Sequence, residues 1–591
     1  MTERGRCWLI VGLGLFVGCG GRSGLPTVFE SAGFGGALAA GGSVSTPRGV
    51  SGFTSGGSAN AGSGPSAGSV GVSGSGSAGT GANAGRGGSA GVSGNVGMGG
   101  GGGGSAGRGG NAGAGGASAT TTWFVDPVDG SDRNPGSFDA PLKTLERAAA
   151  VASGGDTVWL FDGTYQDRLF AASPGRDCST GSGVTFAANV QLKALHSGLP
   201  RLLIAGAHGL CLSGGALEGL HFECQNPGGH AVEVSSGIEG ITGSTFTNCG
   251  STSASATTDH DAGLDVSGDA LVQLTANNSS DYSGYPNYTL AAVRENATLT
   301  VYGGTVSSLH RAFAVSDSAV LSLHGVDLIG QDPSQQADQA IELLEGMPTL
   351  ILSNSSIDNF NSAIRVDSSS ANLSLDNCTI TSSYFGLLGR RPKKSSLNAT
   401  IINSHFASLY AAVFLYPFAG SVQLSLSRSD FNAVERPLMA MLGGTLSLED
   451  VSVSDCDFGA VIAAYTDSAP LTVSLRRVNV TGCRSGGLSL SGSDSTIFDL
   501  GTSASAGGNV LRDNQRDGMS TSSNLFFGSS APILISAIGN SWTPNTQGTD
   551  ENGQCSVAGS EQTFELTSAN GPNFVSGSGN KAVLRLAEKA P

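Results

Sequence analysis

The sequence predicts an all-β solenoid of stacked coils, preceded by a disordered tether, and two observations about the folded part carry this prediction. After residue 121, short strands with alternating apolar residues recur, and each ends in an Asn, Asp or Ser turn. The apolar residues that close six successive strands are 22 to 27 residues apart; they are Ile357, Ile380, Phe406, Phe431, Val453 and Val480. A period of about 24 residues is typical of a solenoid with one coil per period.

The N-terminal part of the chain differs in composition from the remainder. The chain has 591 residues, 92 of them glycine, and residues 51–120 hold 29 glycines, two arginines and no acid. Such a segment buries too little apolar surface to offset the entropy that ordering would cost. Its glycines do not recur at every third position, which excludes collagen. We therefore expect residues 19–121 to form a disordered linker rich in glycine, serine and alanine.

The net charge of the chain is −16, from 46 acidic and 30 basic residues. A phosphate backbone is bound by a basic surface, so this charge disfavours nucleic acid as a partner. An acidic surface keeps an exported protein soluble, and this is the interpretation we favour. A surface that binds divalent cations is the alternative.

Residues 1–18 have the pattern of an export signal. Arg4 and Arg6 precede about ten apolar residues, a run too short to span a membrane as a helix. Residues 15–20, which read LFVGCG, resemble the lipobox of bacterial lipoproteins. The resemblance implies that Cys19 becomes the lipid-modified first residue of the exported protein, and several acyl chains anchor a protein stably. We therefore expect a membrane-anchored lipoprotein at the outer membrane or cell surface.

The segment that follows the linker contains a distinctive series of motifs. A strand at Trp123 leads to GSDRNPG at residues 130–136, a predicted helix over Ala140–Val151, and a second strand that ends in DGTY at residue 165. This order resembles the start of bacterial extracellular parallel β-helix proteins, which include pectate-lyase-like families and a domain family of unknown function. The resemblance implies a right-handed single-stranded parallel β-helix. We expect a cap over residues 122–190, the β-helix over 191–545 and a C-terminal cap or tail over 546–591.

The cysteines follow the same repeat. Cys456 and Cys483 each lie three residues after the closing apolar residue of adjacent repeats. Parallel strands lie about 4.8 Å apart, within the Cα separation of a disulfide, and disulfides persist in exported proteins. We therefore predict a Cys456–Cys483 disulfide, with two buried thiols as the alternative. Cys224 and Cys249 are nearly stacked in the same way. No partner is predicted for the other four cysteines of the folded part, which are Cys178, Cys211, Cys378 and Cys555.

Catalytic motifs of pectin-cleaving β-helices are missing from this sequence. Lyases that the chain resembles use a Lys or Arg base, often with Ca²⁺ on clustered carboxylates, and hydrolases use paired carboxylates. The lyase motif V-W-x-D-H and the hydrolase motifs N-T-D, D-D, H-G-x-S-x-G-S and R-x-K are absent. Residues 390–394, which read RRPKK, match R-x-P-x-x-R only superficially, and we interpret them as a solvated turn. The catalytic residues are therefore unknown.

The densest polar stretch interrupts the repeat between Phe246 and Val306 and is the candidate ligand-binding segment. Its carboxylates offer oxygen ligands to Ca²⁺, and its tyrosines offer rings that stack on sugars. The candidate residues are Asp259, Asp261, Asp265, Asp269, Tyr282, Tyr285 and Tyr288. The alternative is a loop of surface acids with tyrosines packed against it, and no metal site is predicted from spacing.

Two classes of function follow from these observations. The first is a monomeric, surface-tethered, noncatalytic β-helix that binds carbohydrate or another component of the cell envelope. The second is a polysaccharide lyase or glycoside hydrolase of the pectate-lyase-like superfamily with a noncanonical site. The missing motifs favour the first class, and an assay for uronate cleavage separates the two.

Overall fold

The structure is a computed structural model, and it describes most of the chain between residues 120 and 514. The described ranges are 120–167, 183–205, 208–225, 230–249, 262–275, 289–307, 311–330, 338–389, 396–415, 421–457, 459–464, 470–484, 487–491, 496–502, 504–512 and 514, with five short strands given as backbone only (Trp8–Leu9, Val17–Gly18, Met519–Ser520, Leu534–Ser536 and Ser541–Trp542). Trp8–Leu9 and Val17–Gly18 pair as antiparallel strands. Within these ranges no helix is long and apolar enough to span a membrane.

The chain divides into two compact units, one formed by Met1–Arg6 with Gly20–Ala117 and the other by Cys7–Cys19 with Ser118–Pro591. The first unit lies wholly outside the described residues. The second unit contains the repeating strands. Cys19 lies outside its described residues, and so does the expected linker apart from residues 120 and 121.

The second unit is a parallel β-solenoid in which each full coil contributes a strand to each of three sheets. Sheet 1 consists of Thr122–Val125, Thr157–Leu160, Val190–Ala194, Gly215–Glu218, Ile238–Thr242, Leu271–Thr275, Thr298–Tyr302, Val320–His324, Thr349–Ser353, Ser370–Asp376, Ser396–Ile402, Ser421–Ser427, residues 443–449 of Arg436–Glu449, Leu471–Arg476, Ile497–Asp499 and Leu534–Ser536.

Sheet 2 follows sheet 1 in each coil and consists of short strands in two groups. The first group is Gly163–Tyr165, Pro200–Ile204, His221–Cys224 and Thr245–Thr247. The second group is Thr305–Ser307, Asp327–Ile329, Ser356–Asp358, Thr379–Thr381, His405–Ala407, Asp430–Asn432, Ser452–Ser454, Asn479–Thr481, Val510–Arg512 and Ser541–Trp542.

Sheet 3 completes the coil before the chain returns to sheet 1. Its strands are Val184–Thr185, His208–Leu212, His230–Val234, Ala262–Val266, Thr289–Val293, Arg311–Asp317, Gln339–Gly346, Ser362–Val366, Phe385–Gly389, Ala411–Leu415, residues 436–442 of Arg436–Glu449, Ala460–Ala464, Leu488–Ser491 and Met519–Ser520. All of its pairings are parallel, and so are all those of sheets 1 and 2.

The register within sheet 2 confirms the predicted repeat. The apolar residues that define the period are direct partners on successive coils, as in the pairs Ile357 with Ile380 and Phe406 with Phe431. Phe406 and Phe431 stack with ring centroids 5.0 Å apart, and both point into one continuous core. Alternation along a strand places every second side chain inside, so that side chains at equivalent positions of neighbouring coils are buried next to each other.

The turns between sheets 1 and 2 explain the Asn-rich strand ends. Asn354, Asn377 and Asn403 adopt φ values of 50°, 53° and 51°, in the left-handed region that asparagine tolerates better than most residues. The residue after each turn points inward and is buried. Cys378 occupies this position as a free thiol, beside the buried Ser404, whose Oγ accepts a hydrogen bond from the Cys378 amide at 3.3 Å.

The helix begins later than the sequence predicted. It spans Leu145–Val151, and the Thr144 hydroxyl caps its first turn by accepting a hydrogen bond from the amide of the third helical residue. Leu142, which the sequence placed within the helix, instead forms a β-bridge with Val125 and donates its amide to the Phe124 carbonyl at 2.9 Å. The residues just before the helix are extended because they hydrogen-bond to the first strand.

Two disulfides join adjacent coils among the described residues. Cys456 and Cys483 are bonded with a Cα–Cα distance of 4.4 Å, and Cys224 and Cys249 with a distance of 4.8 Å. Cys211 is also disulfide-bonded. Cys178 and Cys555 lie outside the described residues.

Candidate functional site

The outer face of sheet 3 carries two rows of side chains that run along the solenoid. The polar row is defined by Glu233, Asp265, Arg294, Arg311, Gln339, Glu342, Arg365 and Asp367. The aromatic row is defined by Tyr384, Phe385, Tyr410 and Phe414. Register places Glu342, Arg365, Leu388 and Phe414 at one position of successive strands, so that the aromatic row continues the polar row.

Asp265 forms a two-point ion pair with Arg294. Arg294 Nε donates to Asp265 Oδ1 at 2.9 Å and Arg294 Nη2 to Asp265 Oδ2 at 2.5 Å, while Asp265 is only 1% exposed. Burial by itself would lower the pKa of Arg294, but its hydrogen bonds and charge interaction with Asp265 raise that pKa above the ordinary value. Arg294 therefore stays charged, and the two hydrogen bonds fix the plane of its guanidinium group.

Glu342 is the centre of a second ionic group. Arg311 Nη1 lies 3.1 Å from Glu342 Oε2, and Arg365 Nε lies 3.8 Å from Glu342 Oε1. Arg365 Nη2 also lies 2.6 Å from Asp367 Oδ2, which makes a second ion pair. In the amide orientation that satisfies both neighbours, Gln339 donates to Glu342 at 3.2 Å and accepts from Arg365. Buried charges are stable only when paired in this way.

Two guanidinium groups of the polar row each have an N–H donor without an acceptor. Within the described ranges, the buried Nε atoms of Arg311 and Arg365 have no hydrogen-bond partner. A buried N–H group without an acceptor costs free energy, and neither of these two atoms is accessible to solvent. The Arg365 side chain is 33% exposed and is the more accessible of the two.

The aromatic row is built from stacked rings. Tyr384 and Tyr410 lie with centroids 4.5 Å apart and planes inclined by 13°, and the Arg436 guanidinium carbon lies 5.0 Å from the centre of the Tyr410 ring. The ring centroids of Phe385 and Phe414 lie 5.2 Å apart, and Phe385 is almost fully buried. Burial raises the pKa of Tyr384 to about 12, with Tyr410 and Glu435 adding to the shift. Its phenol therefore remains a neutral donor.

Most of the polar row is buried, and its more accessible side chains, Arg294, Arg365 and Asp367, lie on the same face as half-buried aromatic edges. Ionised carboxylates accept hydrogen bonds, guanidinium groups donate them in one plane, and aromatic rings pack against apolar surfaces. A hydroxyl-rich polymer with apolar C–H faces matches this combination.

The residues proposed from the sequence are placed as follows. Asp265 lies in the polar row. Asp269 lies in the turn that follows, where its Oδ1 accepts a hydrogen bond from the side-chain Nδ2 of Asn296 at 3.3 Å. Asp259, Asp261, Tyr282, Tyr285, Tyr288 and residues 390–394 lie outside the described residues. Among the described residues no three His, Cys, Asp or Glu side chains group so as to hold a metal ion.

Sequence reasoning missed the rest of both rows. It followed strands that end in Asn turns, which belong to sheets 1 and 2, whereas both rows project mainly from sheet 3. A signal was present in the segments QAIEL, SAIRV, FGLLG and AAVFL, where the fourth residue is the outward one. Aligning the third strand of each coil would have revealed the column.

Comparison with known proteins adds little to this description. No family model matches the chain, and a search of curated proteins found no match. Among solved structures, pectate lyase Pel9A shows 15% identity over 58% of this chain and 79% of its own, with a TM-score of 0.32. The catalytic unit of the GH87 α-1,3-glucanase from Streptomyces thermodiastaticus shows 13% identity over 62% of this chain and 65% of its own, with a TM-score of 0.35.

A third solved structure is a mannuronic acid specific polysaccharide family 6 lyase from human gut microbiota. It shows 10% identity over 71% of this chain and 86% of its own, with a TM-score of 0.30. The fold assignment rests on the strand register itself: the chain is a parallel β-solenoid.

Proposed function

We propose that this protein binds a polysaccharide along the outer face of sheet 3 and does not cleave it. The observation that carries the proposal is the alignment of the polar row with the aromatic row, in which the Arg365 side chain is 33% exposed and Tyr384, Tyr410 and Phe414 are half buried. From Asp265 to Arg436 the rows cross eight strands of sheet 3, or about 34 Å at about 4.8 Å per strand. An elongated site of this kind suits an extended polymer.

Burial of the carboxylates supports binding over hydrolysis. Glu233 and Asp265 are register partners on adjacent strands, which is the kind of pair that glycoside hydrolysis requires. They are, however, only 6% and 1% exposed, and Asp265 is held by Arg294. A general acid or base must reach the proton that it transfers, and these two groups do not present themselves to solvent. The alternative remains a lyase or hydrolase with a noncanonical site.

Substitutions in the two rows test the proposal. We expect Tyr410→Ala and Arg365→Ala each to weaken binding to a soluble polysaccharide at least about tenfold, because buried aromatic and arginine contacts dominate such interfaces. Binding is measured by affinity electrophoresis and calorimetry against a panel of neutral and acidic polysaccharides, with circular dichroism to verify folding.

Arg477→Ala is the matched control, because Arg477 pairs with Glu449 and Asp450 at the end of a sheet 1 strand and is half exposed. It should leave the affinity unchanged. Polysaccharide binding that survives both substitutions in the rows would rule out the sheet 3 face. Ultraviolet detection of unsaturated product in the same mixtures would favour the lyase alternative.

The chain is further proposed to be a lipoprotein that holds the β-solenoid away from the outer membrane or cell surface through the linker over residues 19–121. Cys19→Ser should release the protein from membranes or leave it unprocessed, because the thiol is the point of acyl attachment. Detergent partitioning measures this, and Cys378→Ser serves as the control, since that thiol is buried in the solenoid. Unchanged partitioning of the Cys19 variant would contradict the anchor.

A further inference from the structure

A carboxyl group is buried inside the solenoid where two coils meet in sheet 1. Glu239 is 0% exposed, and among the described residues neither of its carboxyl oxygens has a hydrogen-bond partner. Its register partner in the preceding coil is Gly215, which has no side chain, and its partner in the following coil is the buried Val272. A buried acid without partners is stable in its neutral form and costs free energy when it ionises.

Among the described side chains, no charged group of the surrounding strands compensates an ionised Glu239. Burial is the only cause that raises its pKa, to about 8. His230 donates through Nδ1 to the Ala262 carbonyl at 2.8 Å. Alternation along the strands places their other titratable side chains on the outer faces of the sheets; these are Glu218, His221, Glu223, Glu233 and Asp265.

The Cys224–Cys249 disulfide joins the same two coils. Gly215 and Cys224 belong to one coil, and Glu239 and Cys249 belong to the next. Both cysteines are buried in the continuous core of the solenoid, with exposures of 3% and 7%. The two coils are therefore linked covalently beside sheet 2, whereas ionisation of Glu239 would weaken their contact at sheet 1.

We propose that these two coils form a pH-dependent opening in the solenoid, which the Cys224–Cys249 disulfide limits while it is oxidised. Ionisation of Glu239 favours a state in which the coils part at sheet 1 and water reaches the carboxylate. The stability of a solenoid is roughly a sum over its coils and the contacts between neighbours, so this opening stays local. Reduction of the disulfide removes the link beside sheet 2, and alkaline pH and reduction therefore act together.

Reduction of the two disulfides by an uncharged phosphine tests this proposal within one molecule. A buried disulfide is reduced only after the surrounding structure opens. Cys456 and Cys483 are 1% and 0% exposed and belong to coils remote from Glu239 in the sequence, so their disulfide is the internal control. Alkylation of the released thiols followed by peptide mapping measures both rates on the whole protein.

We expect the rate of Cys224–Cys249 reduction, divided by that of Cys456–Cys483, to rise at least about tenfold between pH 5 and pH 9. The reason is that the folded coils lose the stability given by protonated Glu239 as the pH rises from 4.5 through 8. A ratio that does not change with pH would overturn the proposal. This comparison within the wild type needs no variant, so it decides the question even if a substitution prevents folding.

Glu239→Gln provides the second arm, because glutamine keeps the shape of the side chain and does not ionise. We expect this variant to lose the rise in the ratio. Glu218→Gln is the matched control in the neighbouring strand, since the Glu218 side chain is 56% exposed, and it should keep the rise of the wild type. A rise that persists in Glu239→Gln would contradict the role of this carboxyl group.

Discussion

Exchanging Glu239 for glutamine should stabilise the protein at alkaline pH and leave its stability nearly unchanged at pH 4. Glu239 lies in Ile238–Thr242, at an inward position of sheet 1 between the buried Val272 and Gly215, which has no side chain. It is 0% exposed, and within the described part of the chain neither carboxyl oxygen has a hydrogen-bond partner. A buried acid without partners is stable only in its neutral form.

The sign of the pH dependence follows from the burial. Burial raises the pKa of Glu239 from its ordinary value of 4.5 to about 8, so the folded chain holds the proton more tightly than the unfolded chain. The resulting stability is fully present below pH 4.5 and is lost as the pH rises from 4.5 through 8. Each pKa unit corresponds to about 1.4 kcal/mol, which makes the loss several kcal/mol at most.

Melting temperatures of the wild type and the variant between pH 4 and pH 9 measure this difference. Glu218→Gln is the control, since exposed Glu218 should change the free energy of unfolding by less than about 0.5 kcal/mol at any pH. A difference in melting temperature between the wild type and Glu239→Gln that stays constant from pH 4 to pH 9 would refute the prediction.

Truncating Phe406 should strongly destabilise the repeat. Phe406 is 0% exposed and stacks on Phe431 in the next coil. Phe406→Ala removes that contact and leaves a cavity, at a cost of about 3–5 kcal/mol in the free energy of unfolding. Because each coil of a solenoid is supported mainly by its neighbours, the loss should also weaken the coils on both sides.

Urea unfolding measures this loss, and Phe138→Ala provides a control with the same change in chemistry. Phe138 is 56% exposed, although its ring centroid lies 5.3 Å from that of Phe124. Its truncation should cost about 1 kcal/mol or less. Equal losses for the two variants would show that the predicted core register is wrong.

The fold could be predicted from the sequence because its signal is local and repeated. Alternation within a strand recurs along the solenoid and an Asn turn follows it in several coils, so that Ile357 and Ile380 could be aligned without a structure. The same alignment placed Cys456 beside Cys483, where the structure has a disulfide. The start of the helix was mispredicted because the backbone hydrogen bonds of Leu142 to the first strand depend on tertiary contact.

The candidate site could be predicted only in small part. Asp265 was singled out as a possible Ca²⁺ ligand, but its role in the structure depends on Arg294, which belongs to the next coil and lies 29 residues away. Pairings of this kind arise from stacking and leave no local pattern. The sequence therefore indicated a polar interruption of the repeat, whereas the polar and aromatic rows appear only when sheet 3 is assembled.

Hydroxyl-radical footprinting of aromatic side chains tests the central claim most directly. Tyr384, Tyr410 and Phe414 are half buried on the sheet 3 face, and Tyr302 is 44% exposed on sheet 1. With a bound polysaccharide, oxidation of Tyr384, Tyr410 and Phe414 should fall severalfold while that of Tyr302 stays constant. Undiminished oxidation of those three rings with ligand bound, or protection of Tyr302 instead, would contradict binding on the sheet 3 face.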